Sequence, residues 1–433
     1  MAGVTLPKAW QPRAHQQKLW RYLEAGGKRA VAVWHRRAGK DSTAINWTAV
    51  AAHRRVGTYW HMLPTATQGR LVAWEGRDGK GRRLIDQAFP PKIRTATRGE
   101  RMTVELQNGS VWQVVGSDNY DRLVGANPVG VVFSEWSLAD PRAWDYVRPI
   151  LAENGGWAVF IYTPRGKNHG FELYDLARHR GDWFAQKLTV ADTGVLTPET
   201  IAEERASGMS EALIQQEYYC SFEAANEGSY YGKLLEEAEQ AGRVTKVPHQ
   251  PELPVDTWWD LGIGDSTAIW FVQKSGLEYH LVDYYECSGE GLAHYAKVLQ
   301  ERGYVYGTHW APHDIAAREL GTGKSRQEVA KGLGLNFKIA PRLSVEDGIE
   351  AVRNLLPRCW FDAEKCRQGL RALKSYHRDY NERRQAYLPH PVHDWASHGS
   401  DAFRTGAVTV RETRTRDEGY RVAPWRLGSF MSK

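Results

Sequence analysis

The sequence predicts an α/β protein in two domains, the first built on a mostly parallel sheet. Three observations carry that prediction. Val31-Ala32-Val33-Trp34 is an apolar run that breaks into the turn His35-Arg36-Arg37-Ala38 and then into Gly39-Lys40, where a helix should open. Two later apolar runs, ending near Phe133 and Tyr162, each finish on a polar or charged residue, as buried parallel strands bearing a site do. Thr257 to Val272 reads as strand, glycine turn and strand after Pro248, Pro251 and Pro254, and so begins a second unit. The 433 residues allow for both.

Composition narrows the class. Hydrophobic residues make up 42% and charged residues 25%, the balance of a globular protein. Lys and Arg outnumber Asp and Glu by 57 to 51, a net +6 that fits nucleic-acid contact without demanding it. The 18 Trp and 20 Tyr are read chiefly as core. Cys220, Cys287, Cys359 and Cys366 lie far apart and make no CxxC pair, so neither a zinc knuckle nor a disulfide framework is expected, and a reducing cytoplasm is the default. No signal-peptide core opens the chain, no run approaches the ~18 apolar residues of a membrane span, and no membrane association is expected.

The stretch 31–43 is read as a phosphate-binding loop between strand and helix. Trp34 stands where the first glycine of the full motif belongs and Asp41 where its Ser or Thr belongs, so Gly39-Lys40 alone matches strictly. The backbone N–H groups around Ala38 and Gly39, with the helix N-terminus, still present donors to a triphosphate. Lys40 would reach the β- and γ-phosphates, Arg36 and Arg37 would add charge, and Asp41 or Ser42 would hold Mg2+. An ordinary basic turn is the competing reading. About twenty residues upstream, Gln16 is the candidate for an adenine edge, because one amide both donates and accepts; a solvated helix face is its alternative.

A helix over Asp41 to His53, a strand over Thr58 to Leu63 ended by Pro64, and a helix start at Thr65 to Gln68 follow. Gly76 to Arg83 is expected as an exposed loop. Met102 to Leu106 and Ser110 to Val115 read as a hairpin whose Asn108-Gly109 favours a type I′ turn. The strand from Val129 ends at Ser134-Glu135. Glu135 is placed as the general base that polarises an attacking water, and the charge absent at Ser134 is matched by the charge gained at Asp41. The next strand ends at Thr163, a polar tip suited to sensing a γ-phosphate. Three strand ends thus carry Lys40, Glu135 and Thr163 at the carboxyl edge, where ligands of open α/β sheets bind.

Arg36-Arg37-Ala38-Gly39-Lys40-Asp41, Leu63-Pro64-Thr65-Ala66-Thr67-Gln68, Val131-Val132-Phe133-Ser134-Glu135 and Tyr162-Thr163-Pro164-Arg165-Gly166 resemble the ATPase domain of tailed-phage terminase large subunits, over about residues 10 to 225. The resemblance implies a P-loop ATPase using ATP and Mg2+. It also implies an arginine acting on a neighbouring subunit's ATP. Arg122 is the candidate, two positions from the family's place; a surface or DNA-facing arginine is the alternative.

In the second half, Glu211 to Phe222 reads as a helix, with the domain junction in or just after 223–229. The expected division is 1–225, a linker over 226–254 with a short helix from Tyr230 to Arg243, a domain over 255–410, and a basic flexible tail over 411–433 with six Lys or Arg against three acids. Asp260 follows Trp259 and faces opposite to it on the first strand of a meander; a buried carboxylate there is costly unless paired or metal-bound, and a turn Asp is the alternative. This is how an RNase H-like nuclease begins. A strand from Tyr306 is expected to end at Asp314, and a helix opens around Asp394 to Arg404. Ser344 to Leu356 and Cys366 to Tyr376 read as amphipathic helices packed on the sheet. Arg371, Lys374, Arg378, Arg383 and Arg384, interleaved with Tyr376 and Tyr380, would track DNA phosphates or form a solvated face.

Asp260, Asp314 and the Ser397-His398…Asp401-Ala402…Arg404 helix start resemble the acidic positions of the terminase nuclease domain, over roughly residues 255 to 410. The resemblance implies an RNase H-like α/β nuclease in which Asp260, Asp314 and Asp401 are catalytic and hold two Mg2+ or Mn2+ ions, the hard cations that carboxylates suit. Asp394 is the rival third ligand, Asp265 and Asp283 are lesser candidates, and His313, His393 and His398 would orient phosphate or water. The whole implies a terminase large subunit: ATP-driven translocation of double-stranded DNA into a procapsid and endonucleolytic cleavage of concatemeric DNA. Its implied partners are duplex DNA, a portal protein, a terminase small subunit and further copies in a ring on the portal, in the host cytoplasm with transient attachment to the procapsid. A helicase-like or restriction-type translocase fused to a nuclease is the alternative, and a non-enzymatic DNA-binding protein a further one.

Overall fold

Small and β-branched residues from Ala30 to Val33, closed by Trp34, are all buried, and this run pairs on both sides to anchor the first sheet. The computed structural model describes residues 4–8, 10–123, 125–223, 228–262, 266–317, 325–381 and 386–410; the side chains of residues 119, 121, 122 and 379–386 lie outside that description. The first sheet contains β1 (Arg29–Trp34), β2 (Thr58–Leu63), β3 (Arg94–Arg98), β4 (Thr103–Leu106), β5 (Val111–Gly116), β6 (Pro128–Ser134), β7 (Trp157–Tyr162) and β8 (Phe184–Leu188), in the order β3-β4-β5-β2-β6-β7-β1-β8. From β5 to β8 every neighbouring pair is parallel, while β3 and β4 add an antiparallel edge. All of β6 is buried, as a strand covered by helices on both faces must be.

Register fixes the packing. Phe133 and Phe160 are cross-strand partners and stack with centroids 4.7 Å apart, and Trp136 and Trp144 close edge-on over Phe160. On the opposite face Trp112 packs against Trp74 and Phe89. Deleting one such buried ring costs about 3–5 kcal/mol. Because β7 lies between β6 and β1, the three strands that end at Ser134, Tyr162 and Trp34 are parallel neighbours, and their carboxyl ends share one edge.

Two local expectations are corrected. The Asn108-Gly109 hairpin is not type I′: Gly109 has φ +88° but Asn108 is not among the positive-φ residues, and Gly109 N–H closes onto Leu106 O. A three-residue loop with a glycine bulge replaces the two-residue turn, because the Asn108 amide is drawn to Ala52 O at 2.8 Å. The helix expected over Glu211 to Phe222 stops at Glu217, where the chain turns to hand the Glu217 carbonyl to Arg36 N–H and the Tyr218 carbonyl to Val190 N–H.

The second sheet contains β9 (Val244–Thr245), β10 (Val255–Asp260), β11 (Ser266–Ser275), β12 (Glu278–Ser288), β13 (Tyr306–Ala311), β14 (Phe337–Ile339) and β15 (Cys359–Asp362), in the order β14-β13-β10-β11-β12-β15-β9. β10, β11 and β12 form the antiparallel meander, and β13 and β14 continue parallel to β10, the RNase H-like arrangement. A short hairpin, β16 (Arg378–Asn381) with β17 (Ala386–Pro391), precedes helix Trp395–Ala407. Part of the stretch expected as a linker is built into this body: helix Gly232–Gln240 buries Leu235 in the second core, and β9 pairs with β15.

The two bodies meet through buried polar contacts. Arg142 joins Asp140 and Glu286, each at 2.7 Å, with those carboxylates 1% and 2% exposed. Trp395 Nε1 donates to Leu138 O at 3.2 Å, and Arg371 pairs with Glu172 at 2.7 Å. Among the described residues no helix is long and apolar enough to cross a membrane.

Candidate active sites

Lys40 opens helix Lys40–Arg54 directly after Gly39, whose φ of +80° and close approach to the Gln16 amide leave no room for a side chain. The Lys40 ammonium, 7% exposed, donates to Thr163 Oγ1 at 2.9 Å and Trp34 O at 3.3 Å, and lies 3.7 Å from Glu135 Oε1. Lys40, Glu135 and Thr163 are therefore brought together. Glu135 has φ +50° and Arg37 φ +71°. Left-handed backbone in non-glycine residues costs on the order of 1 kcal/mol or more and gathers where structure over-determines a functional loop.

Asp41 sits in the first turn of the same helix. Its Oδ1 accepts from Ser134 Oγ at 2.6 Å and lies 3.1 Å from His61 Nε2. Burial pushes its carboxyl upward, but the hydrogen bonds from His61 and Ser134 and the Lys40 charge outweigh that, so the net shift is downward and the group is held ionised. Oδ2 makes no hydrogen bond among the described residues, which leaves one carboxylate oxygen for a hard cation. His61 was not foreseen; a histidine inside the buried run Tyr59-Trp60-His61-Met62-Leu63 was the available signal.

Gln16 is 1% exposed. Its amide donates to Ala38 O at 2.8 Å and accepts from Arg13 N–H at 2.9 Å, so it braces the loop from beneath. Arg36 is 3.7 Å from Glu217, and Arg37 is exposed. Arg165, two residues past Thr163, also grips Glu217. Ser42 lies at the start of the helix with its carbonyl taken by Asn46. The Arg122 side chain lies outside the described residues.

In the second body, Trp258 and Asp260 share one face of β10, and that face receives helix Trp395–Ala407. Gly406 makes the approach possible, since a Cβ there would lie 1.8 Å from Trp258 Cδ2. Asp401 arrives beside Asp260: burial pushes its carboxyl upward, Arg404 at 3.2 Å opposes this, and the Asp260 charge adds to the rise. Tyr376 OH donates to Asp401 at 3.1 Å, and His398 Nδ1 lies 3.2 Å from Asp260 Oδ2. Two carboxylates this close, with the charge of Asp260 adding to the rise at Asp401, are a donor set a divalent cation fits.

The remaining acids are placed elsewhere. Asp394 is the N-cap of helix Trp395–Ala407, its Oδ1 accepting from Ala396 N–H at 2.9 Å, and burial pushes its carboxyl up to about 6. β13 ends at Ala311, not at Asp314, because Pro312 stops the ladder and His313–Ala316 turns as a short 3-10 segment. Asp314 and His313 are exposed there. Among the described residues no three His, Cys, Asp or Glu form a group able to hold a metal ion, so Asp314 does not complete one with Asp260 and Asp401. Asp283 is held by Arg302 at 2.8 Å, His393 packs against the His398 ring, and Asp265 lies outside the described residues. Among the described residues of the basic stretch, Lys374 pairs with Glu239, Arg371 pairs with Glu172, and Tyr376 is buried core; Arg383, Arg384 and the Tyr380 side chain lie outside the described residues.

No protein-family model matches the chain. The terminase large subunit of Escherichia phage T5 is 24% identical over 324 residues, 71% of this chain and 71% of that protein. The terminase large subunit of Thermus phage G20c is 25% identical over 162 residues, 34% of this chain and 33% of that protein. The large terminase of a thermophilic bacteriophage, in complex with ATP-gamma-S, is 16% identical, covering 92% of this chain and 98% of that chain with a TM-score of 0.41. Along 71% of its length the chain is similar in sequence to a phage terminase large subunit.

Proposed function

We propose that the chain hydrolyses ATP in its first domain to drive double-stranded DNA into a viral procapsid and cuts concatemeric DNA with its second, the work of a terminase large subunit. The observation that carries this reading is the shared edge of β1, β6 and β7, where Lys40, Glu135 and Thr163 meet.

Lys40 releases Thr163 and Trp34 O to engage β- and γ-phosphate oxygens, while the loop N–H groups around Ala38 and Gly39 cradle the triphosphate. Glu135 takes a proton from the attacking water, and Thr163, tied to Lys40 in the structure, registers whether the γ-phosphate is present. Arg36, Arg37 and Ser42 line the same loop, and Gln16 holds its shape. Asp41 would hold Mg2+, which supplies charge neutralisation at the phosphates. Arg122 remains the proposed arginine acting on a neighbouring subunit.

At the second site Asp260 of β10 and Asp401 of helix Trp395–Ala407 would hold Mg2+ or Mn2+. An ion held there would supply water activation and charge stabilisation at the leaving 3′-oxygen. His398 fixes the Asp260 carboxylate, and Arg404 and Tyr376 fix Asp401. Contact with duplex would be mainly to phosphates, since packaging tolerates any sequence. Partners are a portal protein, a small subunit and further copies of the chain in a ring, in host cytoplasm. Domain boundaries fall near 225 and 410.

ATP turnover measured with and without duplex DNA tests the reading. Stimulation by DNA that Glu135→Gln abolishes supports it; turnover indifferent to Glu135→Gln refutes the assignment of the base.

A further inference from the structure

A cavity of about 320 Å3 lies over the phosphate loop, between the two bodies of the molecule. Arg36 and Arg37 of the loop and Arg165 from the end of β7 line one side. The other side comes from the second domain, where Arg378 and Tyr387 of hairpin β16–β17 line the same space. The volume falls within the range of small-ligand pockets, roughly 300–1,000 Å3.

Arg378 is held firmly. Its guanidinium lies 5.3 Å from the Tyr387 ring centroid and 5.5 Å from that of Tyr230, so two aromatic faces fix it. Its Nε–H is buried and has no hydrogen-bond partner among the described residues. An immobilised cation with a buried, unsatisfied donor at a cavity wall calls for an acceptor. The cavity offers few of its own. Four arginines line it against two carboxylates, Glu204 and Glu217, and Glu217 is already gripped by Arg165 and Arg36. The surplus positive charge suits a polyanion.

We propose that Arg378 is a nucleotide ligand supplied by the second domain: the phosphates of ATP seated at Lys40 also engage Arg378, so bound nucleotide fastens hairpin β16–β17 against the phosphate loop. This rests on the ATP reading of that loop. The hairpin ends at Pro391, and the helix that begins at Trp395 carries Asp401, so nucleotide held at Arg378 would be felt by the helix that builds the second site.

Calorimetric titration of the full chain with ATPγS and Mg2+ tests this, with hydrogen exchange of the wild type measured in parallel. The expected result is a tenfold or greater rise in Kd for Arg378→Ala, a smaller rise for Arg378→Lys, and slowed exchange around residues 377–378 and 387–391 when wild type binds ATPγS. The exchange readout needs no variant to fold. Equal ATPγS affinity in wild type and a folded Arg378→Ala overturns the proposal, as does wild-type binding without protection of the hairpin; Lys40→Ala losing affinity in that same set shows that the ATP reading still stands. Failure of wild type to bind ATPγS at all overturns both.

Discussion

The hydroxyl of Ser134 donates to Oδ1 of Asp41 at 2.6 Å. Two of the positions at which the chain departs from the usual phosphate-loop and acidic strand-end pattern are thus in contact. The carboxylate that the end of β6 lacks is delivered to the same point by the start of helix Lys40–Arg54. Asp41→Ala is expected to abolish Mg2+-dependent ATP turnover, and the double substitution Asp41→Ser with Ser134→Asp to recover part of it. Steady-state ATP hydrolysis across a Mg2+ series checks this; full activity in Asp41→Ala contradicts it.

Arg142 neutralises two carboxylates that are almost fully buried, one from each body. Removing one partner of such a group strands the remaining charges, at a cost of about 3–5 kcal/mol. Arg142→Ala is therefore expected to lower the melting temperature by several degrees, and adding Asp140→Asn and Glu286→Gln to that variant to restore most of the loss. Thermal unfolding of the three proteins decides it.

His169 is buried at the junction, where its Nε2–H donates to Trp136 O at 2.7 Å and its ring meets Trp395 edge-on. Burial pushes its pKa down to about 4, and His35 is likewise pushed down to about 4, first by burial. The unfolded chain binds these protons near pH 6.5 and the folded chain resists them, so their stabilisation is complete above 6.5 and is lost as pH falls from there toward 4. For His169 the loss reaches up to roughly 3 kcal/mol. Denaturant midpoints between pH 7 and 5 should fall in the wild type and fall less steeply in His169→Gln.

Asp394 and Asp401 stand seven positions apart on one helix start but do different things. Asp394→Asn keeps a side-chain oxygen for the Ala396 N–H, and asparagine caps helices about as well as aspartate. Asp401→Asn removes a charge beside Asp260. Plasmid cleavage should survive the first substitution and fail with the second. The reverse pattern would move the metal ligand to Asp394.

Much of this was legible in the sequence. β1, β2, β6 and β7 announced themselves as apolar runs closed by a turn or a polar residue, because strands buried on both faces admit little else. The alternation of Trp258, Trp259 and Asp260 gave the facing of β10 correctly. What was hidden depends on contacts between distant segments. His61 is one polar residue in a buried strand and acquires meaning only when Asp41 arrives from another element. Arg142, His169 and Glu217 act across junctions that no local period encodes. The two-residue strand β9 is too short for alternation to mark, which is why its stretch reads as linker. Asp314 reads as a strand end because Trp310 and Ala311 extend the pattern, while Pro312 ends the ladder first.

Two separate catalytic centres on one chain can be silenced one at a time. Cleavage of supercoiled plasmid with Mg2+ or Mn2+, with ATP hydrolysis recorded alongside, compares wild type, Lys40→Ala and Asp260→Ala. Asp260→Ala is expected to end cleavage while retaining ATP turnover, and Lys40→Ala to end ATP turnover while the plasmid is still cut. A wild-type chain that neither cuts DNA nor hydrolyses ATP, even with duplex DNA present, would contradict it and return Asp260, Asp401 and Lys40 to structural roles.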